Sequence, residues 1–92
     1  GDPIGIEVHL LCYQYAAEGD LNNTTFINMK CINRGTQTIY DFYVGCFMDG
    51  DIGNPMDDFI GFDSTTNMMY TYNADNFDES GYWENPPAVG VT

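Results

Sequence analysis

One short acidic stretch constrains this chain more than any other feature. The sequence DGDIGNPMDDFIGFD, positions 49 to 63, contains five aspartates and no lysine or arginine. Its acidic residues are Asp49, Asp51, Asp57, Asp58 and Asp63. Two carboxylates ~4 Å apart repel each other by about 4 kcal/mol at an effective dielectric constant of about 20. A folded loop of this composition therefore either turns its carboxylates into water or shares a cation among them.

We expect the cation, because glycines and a proline shape the loop tightly and Ca²⁺ accepts several hard oxygen ligands in flexible geometry. In this hypothesis Asp49 and Asp51 provide the first ligands, and either Asp57 or Asp58 closes the site. Asp63 is either a further ligand or holds the loop through hydrogen bonds to its backbone. The alternative is that Asp, Asn and Gly act here only as turn formers in a solvated loop.

The start of the loop, DGDIG, matches the first positions of an EF-hand, but the match then ends. An EF-hand needs Gly at its sixth position and Glu at its twelfth, where this chain has Asn54 and Ile60. A second acidic group, Asp75, Asp78 and Glu79, is another candidate metal site, although a polar, turn-rich segment is its simpler interpretation.

Composition limits the partners that this chain can bind. Its 92 residues include 14 acidic and 2 basic side chains, which gives a net charge of −12. That charge argues against nucleic acids and anionic membrane surfaces, because both attract Lys and Arg. No apolar run has the length of a membrane span, so we expect no membrane insertion. We expect residues 1–92 to form a single β module, excised from a longer chain because residues 88–92 resemble the beginning of a strand.

The distribution of apolar, β-branched and aromatic residues predicts strands, and no segment combines a helical period with helix caps. The predicted strands span residues 4–15, 24–33, 36–48, 59–62 and 67–72. Several short strands separated by turn residues are typical of β-sandwiches. The expected fold class is therefore all-β, an antiparallel sandwich of the immunoglobulin or fibronectin III type, incomplete if the chain is a fragment.

Three cysteines, Cys12, Cys31 and Cys46, lie within predicted strands and share a strand face with apolar neighbours. We expect them to be small buried residues, because unpaired cysteine is commonly buried in proteins. An odd number rules out complete pairing within the chain, and a single disulfide is the alternative interpretation.

The sequence offers little for catalysis, and we predict no catalytic or cofactor-binding residue. His9 is the one histidine, and a separation of three positions from Cys12 places the two side chains on opposite faces of a strand. Tyr70, Tyr72 and the pair Tyr82–Trp83 favour a carbohydrate-binding alternative, because exposed flat rings stack on sugars. Packing in the core or across strands is the simpler role for these rings.

Four short motifs carry a resemblance to a known kind of protein. They are D-x-D-[IL]-G at 49–53, D-D-[FY]-[IV]-G-x-D at 57–63, Y-N-[AG]-D at 72–75 and P-P-A-[IV]-G-V at 86–91. With the stretch NNTTFINMKCINRG that begins at residue 22, they resemble a segment of large secreted proteins of Bacteroidetes-type bacteria. Such proteins commonly end in a type IX secretion sorting domain. The resemblance covers most of the chain.

The resemblance implies a secreted or cell-surface location and a segment that continues past Thr92. It marks the five aspartates of the loop, and Asp75, as positions of the pattern. Phe62 departs from it, since the family often has Cys there, and a family disulfide need not form. We therefore expect a non-catalytic, calcium-stabilised structural or adhesion module. Its expected partners are other surface proteins or glycans, or a second copy that pairs through an exposed edge strand.

Overall fold

The structure, a computed structural model, describes residues 2–92 and divides into two compact units, Gly1–Val44 and Gly45–Thr92. All strand pairs are antiparallel, which confirms the all-β, antiparallel class. Among the described residues, no helical segment has the length and apolar character needed to span a membrane. The single β module stays a prediction, because a division into compact units does not define domains.

The first unit is built on one long hairpin. Strand β1 (Ile6–Tyr13) pairs with β2 (Phe26–Asn33) from the Ile6–Asn33 pair to the Tyr13–Phe26 pair, and a short 3-10 helix (Gly19–Asn23) lies in the connection. These strands confirm the first two predicted strands, although each begins or ends two residues inside its predicted bounds.

Side chains fasten both ends of this hairpin. The rings of Tyr13 and Phe26 are stacked with centroids 5.3 Å apart. At the other end, Arg34 Nε donates to Glu7 Oε2 at 2.8 Å, and the Arg34 backbone N–H donates to the Gly5 carbonyl at 2.8 Å. The Arg34 guanidinium, followed by a hydrogen bond from His9, holds the pKa of Glu7 below its usual value. The ion pair therefore helps to set where β2 ends.

The predicted third strand, residues 36–48, is wrong. The described chain contains no strand between Asn33 and Asp58. Asp41 adopts a left-handed backbone, φ 52°, which breaks an extended segment at its middle. The side chain of Asn33 also accepts from the Gly35 N–H and donates to the Gln37 carbonyl, so the chain turns away directly after β2. Strand propensity alone does not form a strand that has no partner.

The expected burial of the cysteines is also wrong, because all three are exposed and unpaired. Cys12 and Cys31 do lie on β1 and β2 as predicted, beside apolar residues. A two-stranded sheet buries neither face by itself, however, and Leu10 and Ile27 on the same hairpin are exposed as well. A shared apolar face therefore did not imply a core.

The second unit contains two small sheets. Strands β3 (Asp58–Asp63), β4 (Met68–Asn73) and β7 (Ala88–Val91) form a three-stranded sheet with β4 at its centre. Strands β5 (Phe77–Asp78) and β6 (Trp83–Glu84) form a short hairpin. The strands predicted at 59–62 and 67–72, and the strand start at 88–92, are confirmed within one or two residues.

The interior of the second unit is small and mostly polar. Ile52, from the acidic loop, is the buried hydrophobic residue, with 2% of its surface exposed. Thr71 and Asn73 on β4 and Asp78 on β5 are buried with polar side chains. A core of this kind depends on hydrogen bonds to its polar groups, because a buried polar atom without a partner is costly.

Candidate metal centre

Asp78 is the most completely buried side chain of the second unit, with 0% of its surface exposed. Its carboxylate accepts four backbone N–H groups. Oδ2 accepts from Tyr82 at 2.6 Å and Gly81 at 2.7 Å, and Oδ1 accepts from Asn54 at 2.7 Å and Ser80 at 3.4 Å. The bond from Tyr82 is the main cause of a lowered pKa, and burial opposes it only in part. Asp78 is therefore held as a carboxylate.

The bonds of Asp78 join two segments that are distant in sequence. Three of them close the turn between β5 and β6, as an Asp side chain often does for the residues that follow it. The fourth, to Asn54, fixes the acidic loop against this turn. Gly53 makes that approach possible, because its backbone has φ 65° and a Cβ there would lie 2.0 Å from Asp78 Oδ2.

Asp58 holds the same loop from the β3 side. Its Oδ2 accepts from the backbone N–H of Ile52 at 2.7 Å, which turns the Ile52 side chain into the interior. The loop is thus fastened by two carboxylates, Asp58 and Asp78, that each accept a backbone N–H. Here carboxylates stabilise an acidic loop without a basic partner, because the backbone supplies the positive ends of the hydrogen bonds.

Three acidic residues of the second unit come together in a group that could hold a metal ion. One carboxylate oxygen each from Asp57, Asp78 and Glu79 lies within 4.8 Å of the others. Asp57 is half-buried, Asp78 is buried and Glu79 is exposed, so the group opens toward solvent on one side. Among residues 2–92 this is the one such group of three or more His, Cys, Asp or Glu side chains.

The charged form of Asp57 is disfavoured by its surroundings. Burial, followed by repulsion from Glu79, raises the pKa of Asp57 above its usual value. Its Oδ1 is buried and has no hydrogen-bond partner, and the same holds for Oδ1 of Asp58 and Oδ1 of Asn73. An oxygen in this position is suited to bind a cation, because hard cations take carboxylate and carbonyl oxygens as ligands.

The three members of this group differ in how free they are to bind a metal. A carboxylate has about four lone-pair positions, and Asp78 already accepts four N–H groups, of which the Ser80 bond at 3.4 Å is the longest. Asp57 and Glu79 have the free oxygens, so they are the best direct ligands. Asp78 contributes mainly its fixed negative charge. Its Oδ1 can bind a metal ion when the long hydrogen bond from Ser80 breaks.

The structure separates the residues that were predicted as ligands. Asp57 belongs to the acidic group, and Asp58 binds the backbone of the loop. Asp49 and Asp51 are exposed and lie outside the group. Asp63 binds the turn after β3, accepting from the Thr65 N–H at 2.9 Å and from the Thr66 hydroxyl at 2.7 Å.

The turn after β3 strongly stabilises the charged form of Asp63. Hydrogen bonds from the Thr65 hydroxyl, then the Thr66 hydroxyl, lower the pKa of Asp63 to about 2. Through these hydrogen bonds the carboxylate of Asp63 organises the turn. Asp75 acts similarly in the next turn, where its Oδ1 accepts the Phe77 N–H at 2.8 Å.

Sequence reasoning gave too little weight to Asp78 and Glu79. The short spacing between Asp78 and Gly81 is a signal for a turn closed by an Asp side chain. No local pattern could reveal the contact with Asn54, because 24 positions separate the two residues. Comparison of the chain with protein-family models, with curated proteins and with solved structures finds no match.

Proposed function

We propose that this chain is a non-catalytic, calcium-stabilised structural or adhesion module of a secreted bacterial surface protein. The proposal of a metal ion rests on the acidic group of Asp57, Asp78 and Glu79. One buried oxygen of Asp57 has no hydrogen-bond partner. The secreted location rests on the sequence resemblance alone.

Calcium suits this group better than zinc. The donors are carboxylate oxygens. A zinc site usually includes Cys or His, and neither belongs to the group. One side of the group is open, which leaves room for the water ligands that complete the six to eight oxygens around Ca²⁺. Extracellular modules bind Ca²⁺ with dissociation constants of about 10⁻⁴–10⁻³ M, a range that a site with few charged ligands can reach.

An exposed apolar face supports a structural or adhesive role. Ile60 and Val89 flank Thr71 in the register of the three-stranded sheet, and Phe62 lies two residues along on the same face. Thr71 itself is buried, and Gly50 of the acidic loop lies against it. Ile60, Phe62 and Val89 are all exposed. We propose that the exposed part of this face, beside the acidic loop, packs against a second layer in an immunoglobulin- or fibronectin III-like sandwich. The layer would come from the rest of the parent protein or from a neighbouring surface protein.

Carbohydrate binding is the second candidate. Exposed Tyr72 and Tyr82 favour it, since flat rings on a surface can stack on sugars. The neighbouring pairs are tilted, however, by 36° between Tyr70 and Tyr72 and by 46° between Phe59 and Tyr72. Tilted rings do not form the flat platform that a sugar needs, so we place this role after structure or adhesion.

Titration calorimetry with Ca²⁺ and with Mg²⁺ tests the proposed metal. We expect Ca²⁺ to bind the unaltered chain with a dissociation constant of about 10⁻⁴–10⁻³ M. Asp57→Asn and Glu79→Gln should each weaken binding at least several-fold, because they remove the freest oxygens. Asp51→Asn is the matched control, since Asp51 lies in the same loop but outside the group, and it should bind as the unaltered chain does. Absence of binding, or equal loss in all three variants, contradicts the proposal.

A further inference from the structure

The β5–β6 hairpin presents two large aromatic side chains to solvent. The rings of Phe77 and Trp83, here called the aromatic pair, have centroids 6.1 Å apart and planes inclined by 58°. The exposed fractions are 43% for Phe77 and 60% for Trp83. Exposure of this size leaves most of the indole free to contact another molecule.

The backbone at Trp83 is unusual for so large a residue. Its φ is 58°, in the left-handed region that bulky side chains rarely occupy and that costs free energy to hold. In a regular antiparallel pair, Trp83 would share the face of its partner Asp78, opposite to Phe77. We attribute the contact between the two rings to this backbone, which turns the indole away from the buried side and out beside Phe77.

The charge around the aromatic pair is entirely negative. The second unit has no Lys, Arg or His, and Glu84 lies opposite Phe77 in the hairpin register. Asp75 lies just before Phe77 and binds its N–H. The acidic residues of this unit are Asp49, Asp51, Asp57, Asp58, Asp63, Asp75, Asp78, Glu79 and Glu84. Within this unit a cation that approaches the aromatic pair meets no repelling charge, and the acidic residues attract it.

We propose that the aromatic pair binds arginine or lysine side chains of an extended basic segment in a partner protein. A guanidinium or ammonium group within ~6 Å of an indole centroid is attracted by the electron-rich ring face, and Trp is the best ring for this contact. Glu84 adds a charge-assisted partner beside the rings. The site does not require the bound calcium, since neither Phe77 nor Trp83 belongs to the acidic group.

The test uses a fluorescently labelled peptide of Arg-Gly repeats and a matched peptide in which citrulline, a neutral isostere, replaces arginine. Anisotropy is measured with the full chain at several salt concentrations, with chelator present. We expect the arginine peptide to bind and the citrulline peptide to bind much more weakly. Trp83 is the one tryptophan, so its own fluorescence should change when the unlabelled arginine peptide binds.

Variants separate ring recognition from simple attraction to a chain of net charge −12. Trp83→Leu keeps the charge and should weaken binding about two- to five-fold, which corresponds to an exposed cation–π contact. The affinity of Trp83→Phe for the arginine peptide should lie between those of the unaltered chain and Trp83→Leu. This variant keeps the test valid if Trp83→Leu folds poorly. Phe62→Leu is the control, because Phe62 is an exposed ring on the other sheet of this unit. This variant should bind the arginine peptide as the unaltered chain does.

Four results would overturn the proposal. Equal binding by the unaltered chain and Trp83→Leu would mean that net charge alone attracts the peptide. Equal binding of the citrulline peptide, or a Trp83 fluorescence change with neutral oligosaccharides but not with arginine peptides, would assign the rings to a different ligand. Absence of any binding at low salt would remove the site.

Discussion

Substitution of Gly53 by alanine should destabilise the second unit more than any other glycine-to-alanine change near the acidic group. The left-handed backbone, φ 65°, costs an alanine about 1–2 kcal/mol. The added Cβ would lie 2.0 Å from Asp78 Oδ2 and 2.3 Å from Oδ1, so the carboxylate must also shift away from its N–H donors. From the backbone cost alone we expect the melting temperature to fall by ~4–16 °C. The displaced carboxylate should add to this fall. Trp83 fluorescence follows the melting.

Two further variants identify the cause. Gly53→Asn tolerates the left-handed backbone better but carries the same Cβ, so it should remain clearly destabilised if the carboxylate contact dominates. Gly81→Ala is the matched control, because its Cβ would meet the same Asp78 oxygen at an ordinary 3.5 Å and should change the melting temperature little. If Gly53→Ala melts like the unaltered chain, or Gly53→Asn regains full stability, Asp78 does not organise this region as described.

Three other perturbations test the same unit by thermal melting. Ile52→Ala should cost about 2–5 kcal/mol, because Ile52 is the buried hydrophobic side chain; a much smaller loss would mean that the interior does not depend on it. Gly61→Ala should destabilise the three-stranded sheet, since its Cβ would lie 2.3 Å from the ring of Tyr70; normal stability would show that this ring does not cover Gly61. Asp63→Ala should lower stability at neutral pH, because the pKa of Asp63 falls to about 2 in the folded chain. The contribution of Asp63 to the free energy of unfolding is complete above about pH 4 and is lost as the pH falls toward 2. If the stability difference between Asp63→Ala and the unaltered chain stays constant over this range, the assignment is wrong.

Most of the strands that the sequence predicted pair with the next strand along the chain, and the strand that begins at Ala88 pairs with the more distant β4. The connection between β3 and β4 is short, and the one between β1 and β2 is longer and contains the 3-10 helix. In both pairs the apolar and aromatic residues indicate strands correctly. Residues 36–48 have the same composition, but no neighbouring strand pairs with them and Asp41 is left-handed. The prediction of this strand failed because tertiary context decides whether a strand-like segment pairs with the edge of a sheet.

The candidate site was predictable only in its chemistry. The concentration of carboxylates in the loop indicated a cation, and Asp57 does belong to the acidic group. The partners of Asp57 come from the β5–β6 hairpin, and local spacing does not reveal which turn packs on which loop. If Asp49 and Asp51 held the cation, as the sequence pattern predicts, Asp51→Ala would abolish a calcium effect and Asp78→Ala would leave it intact. The geometry predicts the opposite order, because Asp78 belongs to the acidic group and Asp51 does not.

Melting of the chain with Ca²⁺ and with chelator tests the central claim most directly. At ten times its dissociation constant, Ca²⁺ should stabilise the fold by about 1.4 kcal/mol, or ~6–11 °C. Asp57→Asn should melt higher than the unaltered chain in chelator, because it removes a charge disfavoured by burial and by Glu79, and it should gain little from Ca²⁺. Asp51→Asn should keep the full gain. Identical melting of the unaltered chain with Ca²⁺ and with chelator would contradict the claim that the group of Asp57, Asp78 and Glu79 binds calcium.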